Sequence, residues 1–475
     1  MAINRRDLLK ITGISAAALA VGGCAADNAA GTEAPKGFSL AHSELMPAPK
    51  GKRVVVCGGG FGGLTVAKYL RKASKEVEVV VLEKRDNFMS CPYSNCWMGG
   101  VMDPSGKKPV TLDTLSFDYY TPASKHGYHF IQATITGFDK AAKVVKTDKG
   151  YIGYDYLVIT GGIEYDYSKL FGANKEKAAK CLMECPPALK PGSEHLALKK
   201  QLDELEEGNF IITVPDGAYR CPPAPYERAA MVANFIKENK INAKVLILDP
   251  RPAPGAKPKQ FMEVYKTLYS GIIEYHKNTH IKDVDFAKKV IHVEVVDGDK
   301  KEAKTVSYAV ANIIPKNIAS PLMKMADVKT NADGYALVKL PMHTALKADG
   351  SADENVFVLG DAIAATNFAA GSGYPKSGHM ANSQGKIVAK QIAAKLGVAK
   401  DDGLILPDNT CFSMVRGNPK EAVVVNHKVE YLVEADGTKK IKVSASAKGE
   451  NAADRPNLGK ATDEWYKGIM NDLFG

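Results

Sequence analysis

A glycine-rich stretch directly after an apolar segment constrains this chain more than any other feature. Residues Arg53–Cys57 predict a buried strand, six residues reading Gly-Gly-Gly-Phe-Gly-Gly follow, and Leu64–Ala73 has a helical pattern. Gly58, Gly60 and Gly63 fit the G-x-G-x-x-G spacing. The first glycine permits a tight turn, the second lets a pyrophosphate approach the backbone, and the third lets the helix pack on the strand. This order predicts a dinucleotide-binding βαβ unit.

The residues that follow three other predicted strands indicate which dinucleotide is bound. The second strand ends at Glu83, where a carboxylate would accept hydrogen bonds from ribose hydroxyls. One later strand runs into Thr160 and Gly161, and another runs into Gly360 and Asp361. Both endings resemble the auxiliary FAD motifs of flavoproteins with two dinucleotide-type domains, in which the late aspartate binds the ribityl chain. The sequence therefore favours FAD over NAD as the cofactor.

The middle of the chain has a second βαβ pattern without a second phosphate loop. A predicted strand over Phe210–Val214 leads into a proline-containing loop around Cys221, and a helix over about Tyr226–Asn239 and a strand over Lys244–Leu248 follow. Prolines lack the N–H groups that a phosphate cradle needs, and the glycine spacing is absent from this stretch. We therefore expect no nicotinamide site, so electrons would leave the flavin for a quinone, a cytochrome or another protein.

Three motifs carry a resemblance to a known family. They are the stretches Cys221–Arg228, Pro375–Gly378 with Ala381–Lys386, and Asn409–Cys411. From Lys52 to its C-terminus the chain resembles the flavoprotein subunit of flavocytochrome c sulfide dehydrogenase, within the sulfide:quinone oxidoreductase group of FAD-dependent pyridine nucleotide-disulfide oxidoreductases.

This resemblance implies roles for three cysteines. Cys221 and Cys411 match the family's redox-active disulfide beside the flavin, and Cys91 matches the cysteine that carries FAD through its 8α-methyl group. Hydrosulfide attacks such a disulfide, and one thiolate is then left beside the flavin. The alternative for the pair is an ordinary staple across a loop of about 190 residues, which would stabilise the fold by about 4–5 kcal/mol.

The remaining cysteines bear on the same assignment. The chain has eight, and seven remain if Cys24 is removed during export, so a flavin bond to Cys91 would leave an even number. Cys181 and Cys185 are expected in a loop, either paired with each other or reduced. The sequence has neither a Cys-x-x-Cys-His haem motif nor zinc-type spacing, so no metal site is predicted.

Two charged residues near these motifs have two interpretations each. Glu227 is a candidate proton acceptor for the incoming sulfide, or the partner of Arg228 in a surface salt bridge. Lys376 precedes a helix predicted over Ser377–Lys390, whose N-terminus would point at the flavin. Lys376 would then add to the positive field on the flavin, or it is a solvated lysine.

The N-terminus predicts export. Arg5 and Arg6 lie in a twin-arginine pattern, an apolar run follows, and Cys24 comes after small residues that resemble a lipoprotein processing box. Residues 1–24 would be an export signal, with cleavage or lipidation at Cys24 as alternatives, and 25–49 a flexible linker. The expected location is the periplasm, with membrane attachment only through a lipid on Cys24. The net charge of +10 is spread over the chain without a dense basic block, so nucleic-acid binding is not expected.

The expected fold class is α/β with two Rossmann-like domains and a C-terminal interface domain. The FAD domain would occupy 50–163 and 311–400, a degenerate NAD-type domain 164–310, and the C-terminal domain 401–475. We expect a periplasmic sulfide dehydrogenase that forms sulfur or polysulfide and reduces a c-type cytochrome subunit. The alternatives are a sulfide:quinone oxidoreductase, and a flavin-bearing thiol-redox or electron-transfer partner without a small sulfur substrate.

Overall fold

The computed structural model describes residues 43–364, 370–371, 373–400, 403 and 405–475. The predicted export signal with Arg5, Arg6 and Cys24 lies outside the described residues, as does most of the predicted linker. No helix within the described ranges is long and apolar enough to cross a membrane.

The described residues form helices and strands throughout the chain. The helices are, in chain order, α1 Phe61–Ala73, α2 Ser94–Met98, α3 Leu112–Leu115, α4 Tyr120–His126, α5 Ser168–Phe171, α6 Lys175–Glu184, α7 Ser193–Asp203, α8 Ala224–Glu238, α9 Pro258–Leu268, α10 Leu322–Met325, α11 Gly378–Lys395 and α12 Arg455–Phe474. The strands are β1 Arg53–Cys57, β2 Glu78–Glu83, β3 Asn87–Met89, β4 Ser116–Asp118, β5 His129–Gln132, β6 Ile135–Asp139, β7 Val144–Thr147, β8 Gly150–Gly153, β9 Tyr156–Ile159, β10 Ile163–Asp166, β11 Glu207–Thr213, β12 Asn242–Leu248, β13 Ile273–His276, β14 Thr279–Asp285, β15 Val290–Asp297, β16 Lys300–Ser307, β17 Val310–Asn312, β18 Lys316–Ala319, β19 Val338–Lys339, β20 Thr344–Leu346, β21 Ala352–Val358, β22 Ala370–Gly371, β23 Asn409–Gly417, β24 Lys420–Val433 and β25 Lys439–Lys448.

The first large sheet contains β1 at a point where the strand order changes direction. Its order is β19-β20-β21-β9-β1-β2-β5, and β1 pairs in parallel with both β2 and β9. The residues of β1 and most of β2 are fully buried, which agrees with their near-continuous run of Val and Leu. Because β1, β2, β9 and β21 are parallel, their carboxyl ends meet at one edge, where ligands of such sheets bind. The predicted α/β class is confirmed.

The second sheet is a smaller parallel sheet built from the middle of the chain. Its order is β13-β12-β11-β17, with β11 between β12 and β17. Helix α8 follows β11 and is buried along most of its length. Strand β17 begins at Val310, so it extends past the predicted domain boundary at 310/311. An antiparallel meander of β14, β15 and β16 lies between β13 and β17 in the sequence.

The C-terminal region joins a four-stranded sheet to one long helix. The sheet order is β22-β25-β24-β23, and α12 has 20 residues. Tyr466, Ile469, Met470 and Leu473 of α12 are buried, and full burial of such a side chain contributes about 1.5–3 kcal/mol. The Tyr466 ring lies 4.4 Å from that of Tyr93, so the helix packs on the first domain. Its apolar face is therefore used inside the protein.

The predicted loop around Cys181 and Cys185 is wrong. Cys181 lies in α6, and Cys185 directly follows its last residue. Asn174 caps the helix, because its side chain accepts a hydrogen bond from the Lys177 N–H at 2.9 Å. Both thiols are fully buried in an apolar cluster of the second domain.

Candidate active site

The glycine loop forms a cradle at the carboxyl end of β1. Gly58 has a φ of +121°, and Gly60 has no heavy atom within 4 Å of the position that a Cβ would take. A Cβ on Gly63 would lie 1.9 Å from the Gly58 carbonyl oxygen, so only glycine allows α1 to start this close to the strand. Gly58 and Gly60 line a cavity of about 360 Å³. Backbone N–H groups at the open start of α1 can therefore reach a phosphate.

Glu83 lies at the end of β2 on the wall of the same cavity. Its Oε2 accepts a hydrogen bond from the Gly59 N–H at 2.9 Å, and its Oε1 accepts one from the Arg85 N–H at 3.1 Å. The carboxylate is thus fixed against the glycine loop, and its contact with a ribose stays a prediction.

The two later strand endings line the same cavity. Thr160 donates its hydroxyl to the Gly58 carbonyl at 2.8 Å, and Gly161, Gly360 and Asp361 also line the cavity. Asp361 Oδ1 is buried and has no hydrogen-bond partner among the described residues. A buried carboxylate oxygen needs a donor, and a ribityl hydroxyl would supply one. The cavity therefore fits FAD, as expected from the sequence.

Lys376 lies beside this cavity with its ammonium group facing away from solvent. Its Nζ donates to the carbonyls of Asp361 and Ile363 at 2.7 and 2.8 Å, and lies 3.7 Å from the Tyr335 ring centroid. Burial lowers the pKa of Lys376 to about 8. The alternative of a solvated lysine is wrong, since this side chain is 8% exposed. Its effect on the flavin stays a prediction, although Ser377 and Gly378 at the start of α11 do line the cavity.

Three cysteines from distant parts of the chain meet at one place. Cys91 precedes α2, Cys221 precedes α8, and Cys411 lies in β23, and all three have free thiols in this structure. A hydrogen bond with the Cys221 thiol lowers the pKa of Cys91, while the same interaction and burial raise the pKa of Cys221. Cys411 acts electrostatically on Cys221. The Cys221 backbone is left-handed, with a φ of +56°, and its N–H donates to the Lys376 carbonyl at 2.7 Å.

Glu227 is held beside the cysteines by two hydrogen bonds. Its Oε1 accepts from the Met414 N–H at 2.9 Å, and its Oε2 accepts from Asn95 Nδ2 at 3.0 Å. Burial raises the pKa of Glu227 to about 7, although the Lys257 ammonium opposes this rise. A carboxyl group that titrates near neutral pH is suited to accept and return a proton.

Arg228 does not pair with Glu227, so the salt-bridge alternative is wrong. Its guanidinium donates to Asn95 Oδ1 at 3.1 Å and to the carbonyls of Pro187 and Ala188 at 2.8 and 2.6 Å. Asn95 thereby connects the two residues, because it accepts from Arg228 and donates to Glu227. Nothing in the sequence motifs singled out Asn95.

A second cavity of about 580 Å³ lies beside the Cys221 loop. Its wall includes Tyr219, Pro222 and Pro223 from the loop that replaces a phosphate cradle, together with Cys411 and Lys257. Of the three clustered cysteines, Cys411 lines the described part of this cavity, and Cys91 and Cys221 do not. The second cavity therefore reaches Cys411.

Two family profiles match the chain. The profile described as the central part of the sulfide dehydrogenase (flavocytochrome c) flavoprotein chain matches residues 195–315, and the pyridine nucleotide-disulphide oxidoreductase profile matches residues 52–188. The flavoprotein chain of sulfide dehydrogenase from Chlorobaculum thiosulfatiphilum is 54% identical over 44 residues, which are 9% of this chain and 92% of that sequence.

These matches make the chain similar to the flavocytochrome c sulfide dehydrogenase and sulfide:quinone oxidoreductase family of FAD-binding proteins.

Longer similarities agree with this family. The mitochondrial sulfide:quinone oxidoreductase of Dictyostelium discoideum is 25% identical over 323 residues, which span 65% of this chain and 65% of that protein. The structure of sulfide:quinone oxidoreductase from Aquifex aeolicus has a TM-score of 0.65 at 18% identity, and the match covers 89% of this chain and 92% of that one. The similarity to this solved structure supports the fold.

Members of this family bind FAD, and the first cavity has the groups that would hold it. The start of α1 would hold the pyrophosphate, Glu83 the adenosine ribose and Asp361 the ribityl chain. The Cys91 thiol lies against that of Cys221 in this structure. Its covalent bond to FAD stays a prediction.

We expect FAD to remain with the polypeptide after acid precipitation of the wild-type protein and to be released from Cys91→Ala. A thioether bond survives acid, whereas hydrogen bonds and packing do not. Flavin fluorescence of the washed pellet measures the outcome, with Cys96→Ala as the matched control. Free release of flavin from the wild type would contradict the covalent bond.

Proposed function

We propose that this protein is a periplasmic FAD-dependent sulfide dehydrogenase. It oxidises hydrosulfide to sulfur or polysulfide through a Cys221–Cys411 disulfide and passes the electrons to a c-type cytochrome. The observation that carries this proposal is the convergence of Cys221, Cys411 and Glu227 beside a second cavity that reaches Cys411.

The first chemical step follows from which sulfur is accessible. HS⁻ enters the second cavity and attacks Sγ of Cys411 in the oxidised site, because Cys411 lines that cavity. A new S–S bond forms to Cys411, the Sγ–Sγ bond breaks, and its electron pair leaves on Cys221 as a thiolate. The Glu227 carboxylate takes the sulfide proton, since its raised pKa suits it for this transfer.

Release of the product restores two cysteine thiolates. A second HS⁻ attacks the outer sulfur on Cys411, so HSS⁻ departs and Cys411 is left as a thiolate. FAD held in the first cavity would supply the oxidant for this site, since it can accept the two electrons that are released when the two cysteines form their disulfide again. Arg220 lies between the cysteines and Asp361, 3.6 Å from Asp361 Oδ2, where its charge stabilises thiolates.

The electron acceptor is tested with sulfide-reduced protein. In an anaerobic titration, sulfide should bleach the flavin absorbance, and oxidised c-type cytochrome should restore it, whereas NAD⁺ and NADP⁺ should not. The reason is that prolines occupy the loop after β11, where a nicotinamide phosphate would need backbone N–H donors. Stoichiometric formation of NADH would contradict this prediction.

A quinone acceptor is the second candidate, because relatives of this chain are named sulfide:quinone oxidoreductases. A soluble short-chain ubiquinone in the same titration separates the two. Reoxidation by ubiquinone at a higher kcat/KM than by cytochrome would favour the quinone reaction.

Export to the periplasm is tested separately by fractionating cells that express the wild type and an Arg5→Lys, Arg6→Lys variant.

A further inference from the structure

The second cavity contains a buried lysine that has no carboxylate partner. The Lys257 side chain is 4% exposed, and its Nζ donates to Ser413 Oγ at 2.7 Å. No carboxylate among the described residues lies within 4.0 Å of this ammonium. A buried ammonium is costly unless an anion or several acceptors compensate it, and Ser413 satisfies one of its three donors. The Lys257 ammonium is therefore suited to bind an anion.

The backbone at Lys257 is held in an unfavourable conformation. Its φ is +49°, in the left-handed region that a lysine seldom adopts, and Pro258 follows it at the start of α9. Such strain persists where the surrounding structure enforces it, and it is concentrated at functional sites. Here it directs the side chain inward, toward β23.

The lysine and Cys411 meet through one face of β23. Asn409, Cys411 and Ser413 are two residues apart in this strand, so their side chains lie on the same face. Ser413 holds the Lys257 ammonium on that face, and Lys257 and Cys411 both line the second cavity. Cys411 is the charge that raises the pKa of Lys257 most, followed by Glu227 and Cys221, although burial outweighs all three. In return, Lys257 lowers the pKa of Cys411 against the effect of burial.

The other charged groups of the cavity are occupied elsewhere. Arg251 donates to Asp249 and to the carbonyls of Pro215 and Gly217, and Lys376 donates to the two carbonyls described above. His427 from β24 has its Nδ1 3.0 Å from Asn409 Nδ2, and burial lowers its pKa to about 4, so it is neutral. Glu227 faces the cysteines from α8 and is anchored by Met414 and Asn95. Among these described cations, Lys257 is the one with a single hydrogen-bond acceptor.

We propose that Lys257 is the residue that stabilises anionic sulfur on Cys411, both the terminal sulfur of a chain bound to it and the Cys411 thiolate that remains when the chain leaves. The ligand class is a persulfide or polysulfide anion. The mostly apolar wall of the second cavity would hold the uncharged sulfur atoms, and the ammonium would hold the charged end. The chain part of this inference rests on the proposed function, whereas the thiolate part does not.

The thiolate part is tested by alkylation of the reduced, FAD-loaded protein. Iodoacetamide reacts with the thiolate, so the pH dependence of Cys411 alkylation, read by mass spectrometry, reports its pKa. We expect Lys257→Met to raise the alkylation midpoint by about one pH unit and to slow alkylation at pH 7 by about tenfold. Lys257→Arg keeps the charge and should retain most of the wild-type rate. Lys259→Met removes an exposed lysine two residues away and should change nothing.

Ser413→Ala provides a variant that keeps the lysine. It removes the hydroxyl that holds Nζ, so the midpoint should rise in the same direction by a smaller amount. This variant also serves if Lys257→Met does not fold. An unchanged Cys411 midpoint in whichever of the two variants folds with FAD bound would overturn the inference.

The chain part is tested by sulfide. Lys257→Met should lower the rate of sulfide-driven flavin reduction at neutral pH about tenfold, with normal FAD content and normal reduction by dithionite. A shifted alkylation midpoint in Lys257→Met together with a wild-type protein that sulfide cannot reduce would support the thiolate part and overturn the proposed function. A shifted midpoint with an unchanged sulfide rate would overturn the chain part.

Discussion

Replacing Cys221 or Cys411 by Ser is expected to abolish sulfide-driven reduction of bound FAD while the flavin stays in place. The substitution removes the sulfur electrophile but leaves the glycine loop, Glu83 and Asp361, which line a separate cavity. Because deletion of a covalent step removes the pathway rather than weakening it, the rate should fall by several orders of magnitude in each variant. Stopped-flow absorbance of the flavin after mixing with sulfide measures the effect.

Two controls show whether the loss is specific. Dithionite should still reduce the flavin of both variants, which excludes a misassembled cofactor site. Cys181→Ala removes a buried thiol from the second domain and should leave the sulfide rate near that of the wild type. If the two cysteines formed only a structural staple, their replacement would lower the thermal stability of the protein and leave sulfide turnover near that of the wild type. Retained sulfide activity in both serine variants would favour the interpretation as a flavin-bearing electron-transfer partner.

Much of the FAD cavity could be predicted because its chemistry depends on local sequence. Gly58, Glu83, Thr160 and Gly360 each lie at the carboxyl end of a parallel strand, and parallel strands that share a sheet bring their carboxyl ends to one edge. Strand patterns therefore located the cavity wall without any knowledge of tertiary packing. The unpartnered Asp361 oxygen then agrees with a role that the sequence had already indicated.

The electrostatics of the cysteine site could not be predicted in the same way. Lys257 lies in a loop without a motif, and its position depends on a hydrogen bond to Ser413, 156 residues away. Asn95 reaches Glu227 across 132 residues. Such contacts depend on how the second domain packs against β23 and α2, and no local period in the sequence encodes that packing.

For two of the expectations that were wrong, the sequence contained a signal that indicated the correct structure. Asn174 is a good helix cap three residues before Lys177, and this predicts the helix that contains Cys181. Glu227 and Arg228 are neighbours in α8, and consecutive residues of a helix do not face each other. The second point explains why one of them is directed to the cysteines and the other to the Pro187 and Ala188 carbonyls.

Glu227→Gln is expected to lower sulfide-driven flavin reduction by about 100-fold or more, as is typical when a positioned acid–base group is lost. The amide keeps an acceptor for the Met414 N–H but cannot take the sulfide proton. Glu238→Gln, the same change at an exposed position of α8, is the matched control and should have no effect.

The pH dependence separates a proton acceptor from a merely structural carboxylate. Because burial raises the pKa of Glu227 to about 7, its carboxylate form is lost as the pH falls through that value, and the wild-type rate should fall with it. Rates are compared at equal concentrations of HS⁻ at every pH, which cancels the ionisation of the substrate. Glu227→Gln should then give a low rate that no longer changes between pH 6 and 8. If the rate of the Glu227→Gln variant still falls with pH as the wild-type rate does, another group accepts the proton.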